Sequence, residues 1–171
     1  MRRSDSDLDR VDIRDAKAAD FAAIIRLNAA EELQTSSMDV ERLRTLHDLS
    51  CCHRVALVQG EIAGFLIAMR ESARYRNDNF SWFACRYPKF LYIDRIVVSG
   101  EFTGMKIGTS LYRNLFAFAR LNGVLDVVCE YNIEPPNPAS KAFHERWGFM
   151  EVGTRRVANS SKWVSLQAAS I

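Results

Sequence analysis

The stretch from Leu91 to Asn122 constrains this chain more than any other. An apolar run, Leu91 to Val98, passes through a glycine-bearing turn, Ser99 to Thr103, into a helical pattern that begins at Gly104. Ile107, Leu111, Leu115 and Phe118 fall on one face of that helix, and Gly123 stops it. A strand that feeds such a turn aims several backbone amides at one spot, and the helix dipole adds positive potential there, so the spot suits a phosphate. Glycines at a helix start are a weak sign taken alone, and the alternative is a helix that needs only a flexible entry.

The rest of the pattern supplies a sheet for this unit to sit in. Val11 to Arg14 reads as a short strand, and Phe21, Ile24, Ile25 and Asn28 follow helical spacing with Asp20 in the first turn. Ser37 is the expected N-cap of a second helix, whose Val40, Leu43 and Leu46 form a stripe ending near Ser50. His53 to Gln59 and Ile62 to Met69 read as a hairpin turning at Gly60 and Glu61. From Arg70 to Pro88 the pattern breaks into a polar loop with five aromatic residues, Tyr75, Phe80, Trp82, Phe83 and Tyr87. Phe90 to Ser99 and Val124 to Glu130 are strands. Asn137 caps a last helix, Pro138 opens it and Gly148 ends it, before a strand pair at Phe149 to Arg155 and Lys162 to Gln167.

The order predicts an α/β (α+β) fold: a mixed, mostly antiparallel sheet of six to seven strands with about four helices. A length of 171 residues suits one domain, expected over residues 11–171 after a flexible leader at residues 1–10. The net charge of +2, with scattered arginines, gives no basic stripe for nucleic acid. Met1 to Arg10 has no apolar run for a signal peptide or membrane span. Cys51, Cys52, Cys85 and Cys129 show neither zinc spacing nor the density of a secreted disulfide scaffold. A reducing cytoplasm, no metal and no membrane partner are expected.

Val98, Gly100, Phe102, Thr103, Gly104, Met105, Lys106, Ile107, Gly108 and Leu111 resemble the acetyl-CoA signature of the GNAT superfamily of N-acetyltransferases. Asn137, Ser140, Phe143, His144, Glu145, Trp147, Gly148 and Phe149 resemble that superfamily's later helix and its closing Gly-Phe pair, and with the strand order the resemblance covers residues 11–167. It implies a sheet splayed between the fourth and fifth strands and acetyl-CoA as co-substrate. It also implies transfer of the acetyl group to a primary amine of a small molecule, amino acid derivative or peptide by direct attack in a ternary complex. The usual pattern is Arg or Gln, two residues, Gly, one residue, then Gly or Ala; here Thr103, Lys106 and Gly108 hold those places. Lys106 either points away while its amide binds, or adds its charge to the phosphates. The alternative function is a non-catalytic acyl-CoA-binding module.

The resemblance assigns cofactor contacts to Ile96, Val97, Val98, Thr103, Gly104, Met105, Lys106, Ile107, Gly108, Thr109, Asn137, Ser140 and Phe143. Asp94, an acid in an apolar strand and on one face with Tyr92, is the first candidate for the base that deprotonates the amine; an ion pair with Arg95 or another arginine is its structural alternative. Glu130 is the second candidate, or a contact for a cationic substrate. His144 stands where many relatives hold the tyrosine that protonates the leaving thiolate. Asn132 and Asn137 either hold coenzyme A or cap turns. Tyr75, Trp82, Tyr92, Glu130 and Asn132 are the expected acceptor contacts, with packing as the alternative for the aromatic loop. A homodimer paired along the Lys162 to Gln167 strand is expected.

Overall fold

The computed structural model describes residues 10–32 and 35–171. The expected leader lies outside the described residues except for Arg10. Seven strands and five α-helices are found among the described residues: β1 (Val11–Asp15), α1 (Phe21–Ala30), α2 (Val40–Leu49), β2 (Cys52–Val58), β3 (Glu61–Arg70), α3 (Asp78–Ala84), β4 (Phe90–Val98), α4 (Ile107–Leu121), β5 (Asp126–Glu134), α5 (Pro138–Arg146), β6 (Met150–Arg156) and β7 (Trp163–Ser170). They form the mixed, mostly antiparallel sheet that the sequence predicts.

The chain divides into two compact units. The first takes the described residues up to Ala68 together with Asp94–Ala117. Its strands lie in the order β1, β2, β3 and the second half of β4. β2 and β3 form the expected hairpin, but the turn is Gln59-Gly60, at φ 52° and 87°, and not Gly60-Glu61. Two successive positive φ values match the right-handed twist of the strands they join, so the turn sits one residue earlier and Glu61 enters β3. α2 is capped by Asp39, whose side chain accepts the Arg42 amide, and not by Ser37. Leu43 and Leu46 are fully buried, while Val40 stays 42% exposed at the helix start.

The second unit takes Met69–Ile93 and Phe118–Ile171, with strands in the order β4, β5, β7, β6. β4 and β5 pair in parallel through Phe90, Leu91 and Tyr92 against Asp126, Val127 and Val128, three residue pairs of two nine-residue strands. β5 runs four residues past the predicted end at Glu130, because its ladder with β7 continues to Glu134 opposite Trp163. This pairing overturns the expected dimer strand: β7 lies between β5 and β6, so both its edges are used within the chain. The predicted loop at residues 70–88 contains α3, capped by Asn77, whose side chain accepts the amides of Asn79 and Phe80. The helix was hidden by its shortness, because two turns carry too little periodicity to read.

In the first unit His47 and His53 meet Nδ1 to Nδ1 at 2.8 Å, with Phe21 stacked on His53. Burial, and secondarily the nearby His47, push His53 down from 6.5 to about 4, with Asp20 acting weakly the other way. An imidazole that must stay neutral in the fold binds fewer protons than the unfolded chain between these values, so stability falls as pH drops through this window and is fully present above 6.5. Urea unfolding is expected to lose on the order of 3 kcal/mol between pH 7 and pH 4 from this residue, and His53→Phe to flatten that part of the curve.

Candidate functional site

In the first unit β4 ends at Val98 and the chain makes one 3-10 turn, Gly100–Phe102. The Ser99 hydroxyl oxygen accepts the Glu101 amide at 3.3 Å, and the Thr103 hydroxyl donates to the Gly100 carbonyl at 2.7 Å. Gly104 and Lys106 then take φ of 90° and 56°. Neither value is helical, so α4 starts at Ile107 and not at Gly104 as the spacing predicts. From there its first amides, those of Ile107, Gly108 and Thr109, project from the helix N-terminus with no carbonyl inside the helix to take them. Such a turn fits an anionic pyrophosphate. Ile96 and Val98 are half-buried, and Val97 and Ile107 are buried.

Sequence reading gave no role to Gly64. A Cβ there would meet the Val97 carbonyl oxygen at 2.9 Å and Ile107 Cγ2 at 3.0 Å. Only a bare backbone lets β3 pass this close to the end of β4, and that contact anchors the turn from below. A glycine inside an apolar strand was the available signal.

Asp94 and Arg95 form a buried ion pair, Nε to Oδ2 2.8 Å, with the arginine side chain 5% and the aspartate side chain 4% exposed. Arg95 also donates from Nη1 to Asn28 Oδ1 at 2.9 Å and to the Ser36 carbonyl at 3.2 Å, and from Nη2 to the Ser36 hydroxyl at 3.1 Å. Asn28 donates in turn to the Ser36 carbonyl at 2.9 Å. The ion-pair alternative raised for Asp94 is what its side chain makes; Asn28 and Ser36 were not foreseen as its neighbours' partners.

In the second unit Tyr92 donates its hydroxyl proton to Glu130 Oε1 at 2.7 Å. Tyr92 is fully buried, and Tyr75, Phe80 and Phe83 pack on its ring with centroids 5.5 to 6.2 Å away. Tyr75 is only 6% exposed, so its ring is spent on this packing. Trp82 stacks edge-on to Phe83, lies under the Arg86 guanidinium at 4.0 Å, and approaches Gly153 so closely that a Cβ there would touch it at 3.0 Å. The aromatic loop is thus a satellite core built around α3. Asn132, on β5, is 7% exposed.

α5 presents His144. Asn137 caps the helix, its side chain accepting the Ser140 amide at 3.2 Å. The Ser140 carbonyl lies 2.7 Å from His144 Nδ1, and because a carbonyl only accepts, Nδ1 carries the proton and Nε2 is the acceptor nitrogen of the neutral ring. Burial lowers the proton affinity of His144, opposed in part by that backbone bond. Phe143, Phe149 and Tyr131 surround the ring at 5.6, 5.0 and 5.5 Å. Asn137 and Ser140, expected as cofactor contacts, also form the cap of α5 and the carbonyl contact to His144.

Among the described residues no group of three or more His, Cys, Asp or Glu is placed to hold a metal ion, and no helix is long and apolar enough to cross a membrane. Residues 15–149 match the family model described as the acetyltransferase (GNAT) family. Solved structures with the same fold include Ard1 of Thermoplasma volcanium, 19% identical over 94% of this chain and 97% of that one, with a TM-score of 0.76. Salmonella typhimurium yncA with its cofactor acetyl-CoA is 18% identical over 94% of each chain, TM-score 0.71. Arabidopsis thaliana Naa50 in complex with the bisubstrate analogue CoA-Ac-MVNAL is 12% identical over 94% of this chain and 99% of that one, TM-score 0.71. No functionally curated protein sequence matches.

Removing Arg95 leaves Asp94 as a buried charge without its counterion and strips Asn28 and Ser36 of a donor. Arg95→Met is expected to destabilise the protein by about 3–5 kcal/mol, read as a lower midpoint in urea.

Proposed function

Because the chain belongs to the acetyltransferase (GNAT) family, we propose that it transfers an acetyl group from acetyl-CoA to a primary amine of a small molecule, amino acid derivative or peptide, by direct attack on the thioester carbonyl. The contrast between its two strand carboxylates carries this reading. Asp94 is bound to a buried guanidinium, whereas Glu130 accepts from a neutral tyrosine hydroxyl. A base has to turn an oxygen toward the arriving ammonium, and the Asp94 carboxylate is held against a guanidinium that Asn28 and Ser36 fix in turn. We therefore assign the base to Glu130 and a structural role to Asp94.

The turn from Ser99 to Lys106 and the first amides of α4 receive the pyrophosphate, and backbone amides at the end of β4 polarise the thioester carbonyl. His144 starts neutral, with Nδ1 bound to the Ser140 carbonyl. Its remaining chemistry is to accept at Nε2 the proton that the attacking amine loses as the amide forms and to hand that same proton to the leaving thiolate, and we assign it that carrier role. The net reaction turns amine and thioester into amide and free thiol. None of the four cysteines is in a disulfide, which fits the cytoplasm as its compartment.

Thermal unfolding with acetyl-CoA at a hundred times its dissociation constant is expected to add about 2.7 kcal/mol of stability, with no gain from ATP at the same concentration. Free-thiol release, followed with a chromogenic disulfide over a panel of small amines and peptides, is expected to depend on the amine, and Glu130→Gln to reduce it roughly a hundredfold or more while keeping the thermal gain. Thermal gain without thiol release on any amine would instead make the chain an acyl-CoA-binding module.

A further inference from the structure

Tyr92 enters the sequence reading as a contact for the acceptor, yet it is fully buried. Its hydroxyl has one proton, and at 2.7 Å from Glu130 Oε1 that proton goes to a group that accepts only. We propose that Tyr92 is a positioning residue for Glu130: the hydroxyl holds the carboxylate in one orientation, and the aromatic box of Tyr75, Phe80 and Phe83 holds the hydroxyl. This rests on Glu130 being the base.

The packing supports that division of labour. Phe80 meets Tyr92 edge-on at 5.5 Å and 85°, Phe83 lies at 6.2 Å, and Tyr75 closes the box at 6.2 Å. Two of these rings come from α3, a helix that otherwise has no part in the chemistry. Tyr92 stands opposite Val128 in the parallel ladder, so Glu130 is one same-face step further along β5. A glutamate has three side-chain rotors, and a hydrogen bond to a charged acceptor from a ring that cannot move selects one arrangement before substrate arrives. The titratable neighbour Cys129 stays protonated throughout, since burial, and secondarily the Glu130 charge, raise its thiol well above the ordinary value.

Tyr92→Phe keeps the ring in its box and removes only the donor. The first readout needs no acceptor: carboxyl carbon NMR of protein labelled at glutamate, with the Glu130 signal identified by its loss in Glu130→Gln. A donor to the charged form favours that form, so Tyr92→Phe is expected to raise the Glu130 titration midpoint by about one pH unit. With an amine that supports thiol release, kcat is expected to fall about tenfold with KM for acetyl-CoA unchanged, and the acidic limb of the rate profile to move up by the same interval as the NMR midpoint. An unmoved midpoint together with wild-type turnover in Tyr92→Phe, while Glu130→Gln is inactive, overturns the positioning role alone. Wild-type turnover in Glu130→Gln overturns the assignment of the base, and the proposal with it.

Discussion

A guanidinium inside a strand must be compensated where it lies, and the first unit is organised around doing this for Arg95. Moving such a cation out of water costs several kcal/mol even after relaxation. The neighbouring Asp94 supplies the counter-charge, and Asn28 and Ser36 accept three further hydrogen bonds from the guanidinium. Asn28 lies on the buried face of α1 at 1% exposure, a polar residue among apolar ones, and its place there has its explanation in β4. One cation thus fixes the end of α1, the residues that follow it, and the last half of β4, where the turn toward α4 begins. It also engages Asp94, because parting a buried ion pair leaves an uncompensated charge.

The same logic separates the two strand carboxylates, of which sequence alone puts Asp94 first and Glu130 second. Asp94 and Glu130 each interrupt an apolar strand, and nothing in their spacing tells which is structural. The distinction lies in the partner, a cation for one and a neutral hydroxyl for the other. His144 and His53 repeat the theme with imidazoles: burial keeps both below their ordinary proton affinity, but His144 has its Nδ1 tied to a backbone carbonyl, whereas His53 is matched with a second histidine.

Local rules made much of this legible. Asn137, Pro138 and Gly148 mark α5 because capping, fixed φ and positive φ are properties of single residues. The strands of β2, β3 and β4 follow from branched apolar runs. What escaped was set by distance or by short length: α3 has seven residues, the span of β5 beyond Glu130 depends on β7, and the Arg95 partners come from α1 and the residues after it, far away in sequence. Ser37 lost the cap of α2 to Asp39 because both are good caps and only the path of the chain chooses between them. The aromatic loop reads as either an acceptor wall or a packed satellite, and its Tyr75, Phe80 and Phe83 are buried in packing while Trp82 is half-buried. At the turn before α4 both the signature and its departure are readable, but the positive φ of Lys106 and the later start of α4 are not.

That departure has a conformational meaning. The resemblance places a glycine where this chain has Lys106, and close approach of a phosphate is one reason for it. Lys106 has φ of 56°, which glycine adopts freely and an L-residue with a side chain adopts at a cost of about 1 kcal/mol. Lysine holds this angle in a turn whose surroundings constrain it: Gly104 also at positive φ, the Thr103 hydroxyl on the Gly100 carbonyl, and Gly64 admitting the end of β4 against β3. A backbone held against local preference by its neighbours presents its amides in the same direction whichever side chain it bears. Lys106 therefore takes on a backbone angle that glycine adopts freely, and it brings a positive charge to the entry of α4.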